Sequence, residues 1–462
     1  MTDLTPDVLG DGTALLLPEQ ILVPGGTVGG HAVVVTDGRF VAVGPAEGVL
    51  REFPSLTPRR LDGHLLMPGL VDTHHHLTQS LGGALAFGEP SEIFRRIWVP
   101  LERALDDETA YLSAKLAALQ SLRGGFTTVA EAGTRAPVDV DVIATATREA
   151  GLRCVLGLTC NDAERTSQAD ARNAAERHLA AYASDELVHP SLAISVPEAA
   201  TEETLRATAA LAAEAGAVMQ IHVNEHLAGV ERCLVERGLR PIEYLHQLGV
   251  LGPQLLGAHA TLVTPAELRL LRDSGAAISY NPVASAWKGN AVAPALTMHE
   301  LGIRFGLGTD GTRGDGFRLL DAAESAQRIG HGMAVGDSSC GGGWTWLDHA
   351  TRAGADAVGL GAVTGEIAVG KAADFLLVDL TAPELRPGWD VPWQLVRLAS
   401  SAQITAVVVA GDVRLWRGWP IDWDGPALVD QASKAAADVI GKARITRAHP
   451  TSAEHRARKG EQ

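Results

Sequence analysis

Three consecutive histidines, His74-His75-His76, close the apolar run LLMPGLVDTH and offer the first chemistry in the chain. In extended backbone successive side chains alternate, so His74 and His76 share one side and His75 takes the other. Two imidazoles on one side can bind a single metal ion, and imidazole suits zinc or iron. Asp72, just upstream, offers an outer partner to those rings. Far along the chain, His222-Val223-Asn224-Glu225 supplies a candidate third ligand in His222 and a carboxylate in Glu225 suited to carrying a proton. His259, ending Gly257-Ala258-His259, can stabilise charge on an attacking water or a developing oxyanion, or serve as a further ligand. Asp310, in GLGTDG, can complete a metal shell and accept a proton from water. Taken singly, each piece has a plainer reading: a satisfied core histidine, a surface glutamate, a turn with Gly after Asp.

What lifts them is the elements that must position them. Between residues 65 and 310, apolar runs of strand length alternate with longer Ala- and Leu-rich helical patterns, the signature of βαβ units and a parallel sheet. Eight such runs end at His74, Glu131, Leu158, Val196, Val223, His259, Asn281 and Asp310. Helical stretches such as DETAYLSAKLAALQSLRGG and TEETLRATAALAAEAG lie between them; Thr201 is an N-cap for the second, without the Glu or Gln that would complete a capping box. Eight strands, each followed by a helix, make a (β/α)8 barrel, whose strand C-termini converge on one mouth where active sites are built. His74, His259 and Asp310 end their runs and His222 stands one residue from the end of its own. Residues far apart in sequence are thereby brought to one pocket.

The chain ends are different. ALLL (14–17), AVVV (32–35) and FVAVG (40–44) are β-rich, with Asp37-Gly38 as a hairpin turn; DFLLVDL (374–380) and ITAVVVAGDVRLW (404–416) return to the same pattern, turning at Ala410-Gly411-Asp412. The 462 residues suffice for a barrel and a smaller second domain. A formal charge of −16 argues against a nucleic-acid partner, since a phosphate backbone needs a basic face. The start MTDLTPDVLGDG lacks a basic segment followed by an apolar run, and no apolar stretch reaches the roughly 18 residues of a membrane span. Four scattered cysteines, Cys154, Cys160, Cys233 and Cys340, form no CxxC pair and read as idle thiols in a reducing compartment. A cytoplasmic location is expected.

With those residues in view, the sequence resembles the amidohydrolase superfamily, in its cytosine-deaminase-like branch of aminohydrolases and chlorohydrolases. The resemblance spans nearly the whole chain and rests on MPGLVDTHHHL (67–77), IHVNEH (221–226), GAHATLVTPAEL (257–268), LGTDG (307–311) and GEIAVGKAADFLLVD (365–379). It implies a composite β-sandwich shared by residues 1–65 and 365–425, a metal-dependent barrel over 66–364, and a C-terminal helix and tail over 426–462. It further implies one Zn²⁺, or Fe²⁺, held by His74, His76, His222 and Asp310, the ion making water nucleophilic near neutral pH. Asp310 and His259 would orient and deprotonate that water, Glu225 would protonate a ring nitrogen, and ammonia would leave. A homodimer is compatible with the resemblance.

Departures surround this centre. Where relatives often have Arg-Gly after the first histidines this chain has SLGGALAF; Pro-His at the fourth strand becomes Pro197-Glu198; an NPRSN-like stretch becomes NPVASAWKGN; and GTRGDG follows the eighth-strand aspartate. A two-metal site would need a bridging lysine at the fourth strand, where there is none, leaving only Glu198 as a weak substitute. The expected function is hydrolytic deamination of a small nitrogen heterocycle: a purine, pterin, pyrimidine or triazine. Gln79, Trp287, Lys288 and Arg313 are candidate substrate contacts, an aromatic ring to stack on the heterocycle and polar groups to read its edge. The rivals are release of chloride or an alkylamine from a triazine-like ring, and a barrel that binds without catalysis; Glu225 leans toward deamination, and a complete ligand set opposes the second.

Overall fold

The alternating runs fold, in a computed structural model describing residues 4–9, 12–89, 93–162, 168–311, 313–336 and 341–459, into eight parallel strands in strict sequence order. They are β1 (Leu70–His75), β2 (Phe126–Glu131), β3 (Arg153–Thr159), β4 (Val188–Ile194), β5 (Met219–Val223), β6 (Leu255–His259), β7 (Ala277–Tyr280) and β8 (Arg304–Leu307). Strands buried on both faces read as continuous apolar runs, which is why no polar alternation marks them. Helices such as Asp107–Arg123 and Glu202–Glu214 cover the outside. The latter starts as expected, with the Thr201 side chain accepting from the Thr204 amide.

Several strand limits differ from the sequence reading, three of them at positions that bear on the site. Leu65–Pro68 continues a strand of the other sheet, and the chain enters the barrel only after Gly69. There the backbone changes partners, Gly69 N–H bonding Asp374 and Leu70 N–H bonding Gly125, and a β-carbon at Gly69 would lie 2.0 Å from the Thr127 hydroxyl. β4 stops at Ile194 rather than Val196, the chain bending at Ser195 and Val196 ahead of a short 3-10 turn from Pro197. β8 stops at Leu307, so Asp310 stands three residues beyond its strand.

β8 packs against β1 and brings the ring nearly to closure. At the mouth, Asp310 N–H donates to the His74 carbonyl (2.8 Å) and Thr309 N–H to the Asp72 carboxylate (2.9 Å). The opposite end is plugged by residues 355–360, whose Ala355, Val358 and Leu360 pack among Val71, Val155, Val218, Leu256 and Ala277.

The chain ends form one mixed sheet of nine strands. Its central strand, Pro58–Pro68, pairs parallel with Thr13–Val23 from the N-terminal segment and antiparallel with Phe375–Asp379 from the C-terminal one. The expected sandwich is thus a single hydrogen-bonded sheet that curls over: the Asp37-Gly38 hairpin bonds back to residues 370–373 around Phe40, Leu66, Phe375 and Val408. Asp37 and Ala410 adopt φ of 47° and 51°, as the two hairpin turns require. Asp374 joins sheet to barrel, its buried carboxylate gripping Arg153 of β3 at 2.8 and 3.1 Å. The helix Gly425–Lys442 packs Ala432 and Val439 against Leu81, Ile97 and Leu101 beside the mouth. Cys154, Cys160 and Cys233 are buried and free, and Cys340 lies outside the described residues. No helix among the described residues is long and apolar enough to cross a membrane.

Candidate active site

The alternation inferred for β1 holds. His74 and His76 face one another with ring centroids 5.0 Å apart, while His75 turns away to the Thr309 hydroxyl (2.7 Å). His222 of β5 completes the cluster, its ring 4.7 Å from His74 and 5.4 Å from His76. His259 pairs in register with Val223, one position beyond His222, and simple alternation would send it to the other face. Its φ of 76° breaks that alternation and the ring sits 5.3 Å from His74 and 5.4 Å from His222. Asp310 (φ 61°), Asn224 (49°) and Ala260 (48°) share the left-handed conformation. Such strained residues cost of order 1–3 kcal/mol each and gather at functional sites. Gly308 is needed here because a β-carbon would lie 2.3 Å from Asn281 Oδ1 and 2.4 Å from Ser279 Oγ.

The ligand atoms converge. Asp310 Oδ1 lies 4.0 Å from His74 Nε2 and 3.7 Å from His76 Nε2. Ligands about 2.0–2.2 Å from a shared ion stand about 3–4 Å from one another, so the spacing fits one metal. Ligand atoms of His74, His76 and Asp310 lie mutually within 4.8 Å, as do those of His74, His222 and His259, and those of Glu225, His259 and Asp310. His74 Nε2 is buried without a hydrogen-bond partner, a lone pair such an ion would satisfy.

Hydrogen bonds set the tautomers apart. His222 Nδ1 meets the Ser195 carbonyl at 2.7 Å and must donate, leaving Nε2 as a free lone pair. His259 Nδ1 instead meets the Asn281 amide nitrogen at 3.2 Å, and that amide is oriented by Ser279 Oγ donating to its oxygen. His259 Nδ1 therefore accepts, and Nε2 carries a proton toward Glu225 Oε2 (3.7 Å) and Asp310 Oδ2 (3.8 Å). The first is suited to ligation and the second to donating.

Burial drives the imidazoles toward neutrality: His74 and His76 are held well below their usual value, His222 is lowered, and His259 falls to about 4. Burial would raise the Asp310 carboxyl, but Lys288 and then His259 overturn it and hold the group well below its ordinary range. Glu225 is likewise held down by His259 and Lys288 against the effect of burial. Neutral imidazoles beside an ionised carboxylate are the protonation states a divalent cation requires.

The other expected residues divide. Gln79 is buried beside the Asp310 loop, where a β-carbon on Gly311 would strike its Oε1, an oxygen with no hydrogen-bond partner. Trp287 is half-buried with its ring edge-on to Phe87, centroids 5.5 Å apart, and its indole N–H is unpartnered. Lys288 enters the cluster itself, Nζ lying 2.8 Å from Glu225 Oε1 and 2.5 Å from Asp310 Oδ2. Arg313 does not show that convergence: its side chain is 60% exposed and paired with Asp315. Glu198 pairs with Arg232 at 3.1 Å and joins none of the metal-capable groups.

A buried network goes beyond the sequence reading. Glu102 accepts from Arg135 (2.5 Å), Thr78 (3.0 Å) and Gln79 (3.4 Å). Glu131, at the end of β2, accepts the Leu77 amide (2.5 Å), and burial raises its carboxyl to about 7. The strand-end rule that flagged the ligands applies to Glu131 as well; nothing in the local sequence flags Glu102.

A family model described as "Amidohydrolase family" matches residues 65–414. The chain is 28% identical over 385 residues to a 5-methylthioadenosine/S-adenosylhomocysteine deaminase of Syntrophobacter fumaroxidans, covering 82% of this chain and 87% of the relative. It is 29% identical over 420 residues to a 5'-deoxyadenosine deaminase of Methanothermobacter thermautotrophicus, covering 88% and 94%. Among solved structures it is similar to an adenosine deaminase from Xanthomonas campestris with bound zinc, with a TM-score of 0.85 and 28% identity over 93% of this chain and 98% of that one.

Proposed function

The chain belongs to the amidohydrolase family and is a metal-dependent hydrolytic deaminase of small nitrogen heterocycles, and we propose that its substrate is an aminopurine of the adenosine type. The observation that carries this reading is the cluster at the barrel mouth, where His74 is spaced for an ion with His76 and Asp310 and also with His222 and His259, and Glu225 stands beside His259 and Asp310. Zinc, the ion bound in the Xanthomonas structure, suits the three imidazoles and one carboxylate.

In this reading His74, His76, His222 and Asp310 hold the ion. When bound, it supplies the Lewis acidity that makes water a nucleophile near neutral pH. Asp310, through Oδ2, and His259, through its Nε2 proton, orient the attacking water. Glu225, ionised at rest, takes one proton of that water and delivers it to the ring nitrogen beside the reacting carbon, and Asp310 passes the second to the departing amine. The bond to the exocyclic amine breaks, ammonia leaves, and the oxygen of water stays on the ring as a carbonyl. Gln79 reads the purine edge with its unpartnered oxygen, and Trp287 supplies an aromatic wall. A homodimer and a cytoplasmic location complete the reading.

The test is ammonia release by the zinc-loaded protein across adenosine-type nucleosides, guanine, pterins and aminotriazines, with chloride release from a chlorotriazine as the opposing arm. Deamination of an aminopurine is expected. Glu225→Gln should keep its metal while losing about 10²–10⁴-fold in turnover, the usual worth of a placed proton carrier. Chloride release without ammonia release, or a Glu225→Gln variant near wild-type turnover, refutes it.

A further inference from the structure

Lys288 stands where a substrate contact was expected, yet its ammonium is already engaged. It is the last residue of the helix Pro282–Lys288, and Gly289 (φ 70°) ends that helix immediately after it. Its side chain is 9% exposed. Two of its three N–H groups go to carboxylates, Glu225 Oε1 at 2.8 Å and Asp310 Oδ2 at 2.5 Å. Glu225 turns its other oxygen to His259, and His226 also reaches Glu225 Oε1 at 3.1 Å. The element carrying Lys288 opens with Asn281, the residue that fixes the His259 ring. One short helix thus orients both partners of the proton carrier.

From this arrangement we propose that Lys288 is a positioning residue, pinning Glu225 and the outer oxygen of Asp310 to one ammonium so that the proton-carrying carboxylate stays beside the reacting carbon. Glu225 and Asp310 have carboxylate oxygens within 4.8 Å of one another in a largely buried site. Two like charges so placed repel; a cation between them converts the repulsion into a bridge. Without it Glu225 retains, among the described residues, His226 and His259, and the repulsion from Asp310 turns it toward His226, which is 32% exposed. The ligand-side oxygen of Asp310, Oδ1, faces His74 and His76 and does not touch Lys288. Metal retention is therefore separable from the placement of Glu225.

The proposal rests on the deaminase reading, and the two can fail separately. Lys288→Met, close in length and uncharged, should fold, keep its metal by elemental analysis, and lose about ten- to hundredfold in kcat, the scale on which ångström misplacement acts, with KM changed less than about threefold. Lys288→Arg should recover part of that loss. In a Glu225→Gln background the same Lys288→Met change should cost less than about threefold, because the group it positions no longer carries a proton. A crystal structure of Lys288→Met should show Glu225 turned toward His226. Four results overturn the proposal: a raised KM at unchanged kcat, which makes Lys288 a substrate contact; loss of the metal; equal losses in the two backgrounds; or an unmoved Glu225. If Glu225→Gln alone stays active or no aminopurine is deaminated, the deaminase reading fails, and the position of Glu225 in the Lys288→Met crystal still decides the role of Lys288.

Discussion

Asp72 shows how far the metal centre depends on a residue that never faces it. Its carboxylate, fully buried, accepts the His74 amide (3.2 Å), the Thr309 amide (2.9 Å) and the Thr309 hydroxyl, with His75 Nδ1 at 3.4 Å. It therefore ties the strand bearing two imidazoles to the loop bearing Asp310. Asp72→Ala strands the His74 and Thr309 amides, each costing about 1–3 kcal/mol when buried and unmet, while the Thr309 hydroxyl keeps the Asp310 carbonyl at 3.3 Å. Water entering the vacated space relieves part of that, so a loss of about 2–4 kcal/mol is expected. Asp72→Asn keeps an acceptor for the two amides and should lose about 1–2 kcal/mol. Removing a partner behind a ligand typically weakens metal binding about 10–100-fold, and the same order, Asp72 then Asn then Ala, should hold for zinc affinity. Urea unfolding followed by tryptophan fluorescence gives the first quantity, and zinc titration of chelator-stripped protein against a chromophoric competitor gives the second. An Asp72→Ala protein that binds zinc within about twofold of wild type would refute the reasoning, since the scaffold would then be irrelevant to the ligands.

Two further outcomes follow from buried charges. Arg153→Met should destabilise the fold by about 3–5 kcal/mol by leaving the Asp374 carboxylate buried and unpaired, and adding Asp374→Leu should recover much of the loss in urea denaturation. Glu89 accepts the Ala448 and His449 amides and pairs with Arg96; burial would raise its carboxyl, but those donors, the Ala448 amide first, hold it at about 2 against an ordinary 4.5. A folded value below the unfolded one means that the contact stabilises above about pH 4.5 and weakens as pH falls toward 2. Glu89→Gln should remove that acid dependence and speed proteolytic clipping near residues 446–449 at neutral pH.

Much of this was legible because the chemistry sits at strand ends. Alternation alone separates His74 and His76 from His75, and the runs ending at Val223 and His259 fall where β5 and β6 end. The run before His74 misled at its start, since apolar residues of the central sheet strand flow without a polar break into β1 and only Gly69 marks the change. Asp310 lies beyond its strand because a left-handed loop carries it, a conformation that neighbouring residue types do not announce. Lys288 could be suspected of facing the mouth, but its grip on two carboxylates depends on how β5, β7 and β8 are spaced. Glu102 and Arg135 meet across 33 residues, and no local pattern encodes such a pair.

The hydrogen bond from the Asp310 amide to the His74 carbonyl has a consequence for the order of assembly. The carboxylate reaches His74 and His76 only when the last barrel segment docks against the first, so a growing chain that has emerged as far as residue 300 carries histidines without the charge that completes their coordination. Cation capture is thereby deferred until the circle is shut, and a chain halted midway through synthesis should hold zinc far more loosely than the finished protein.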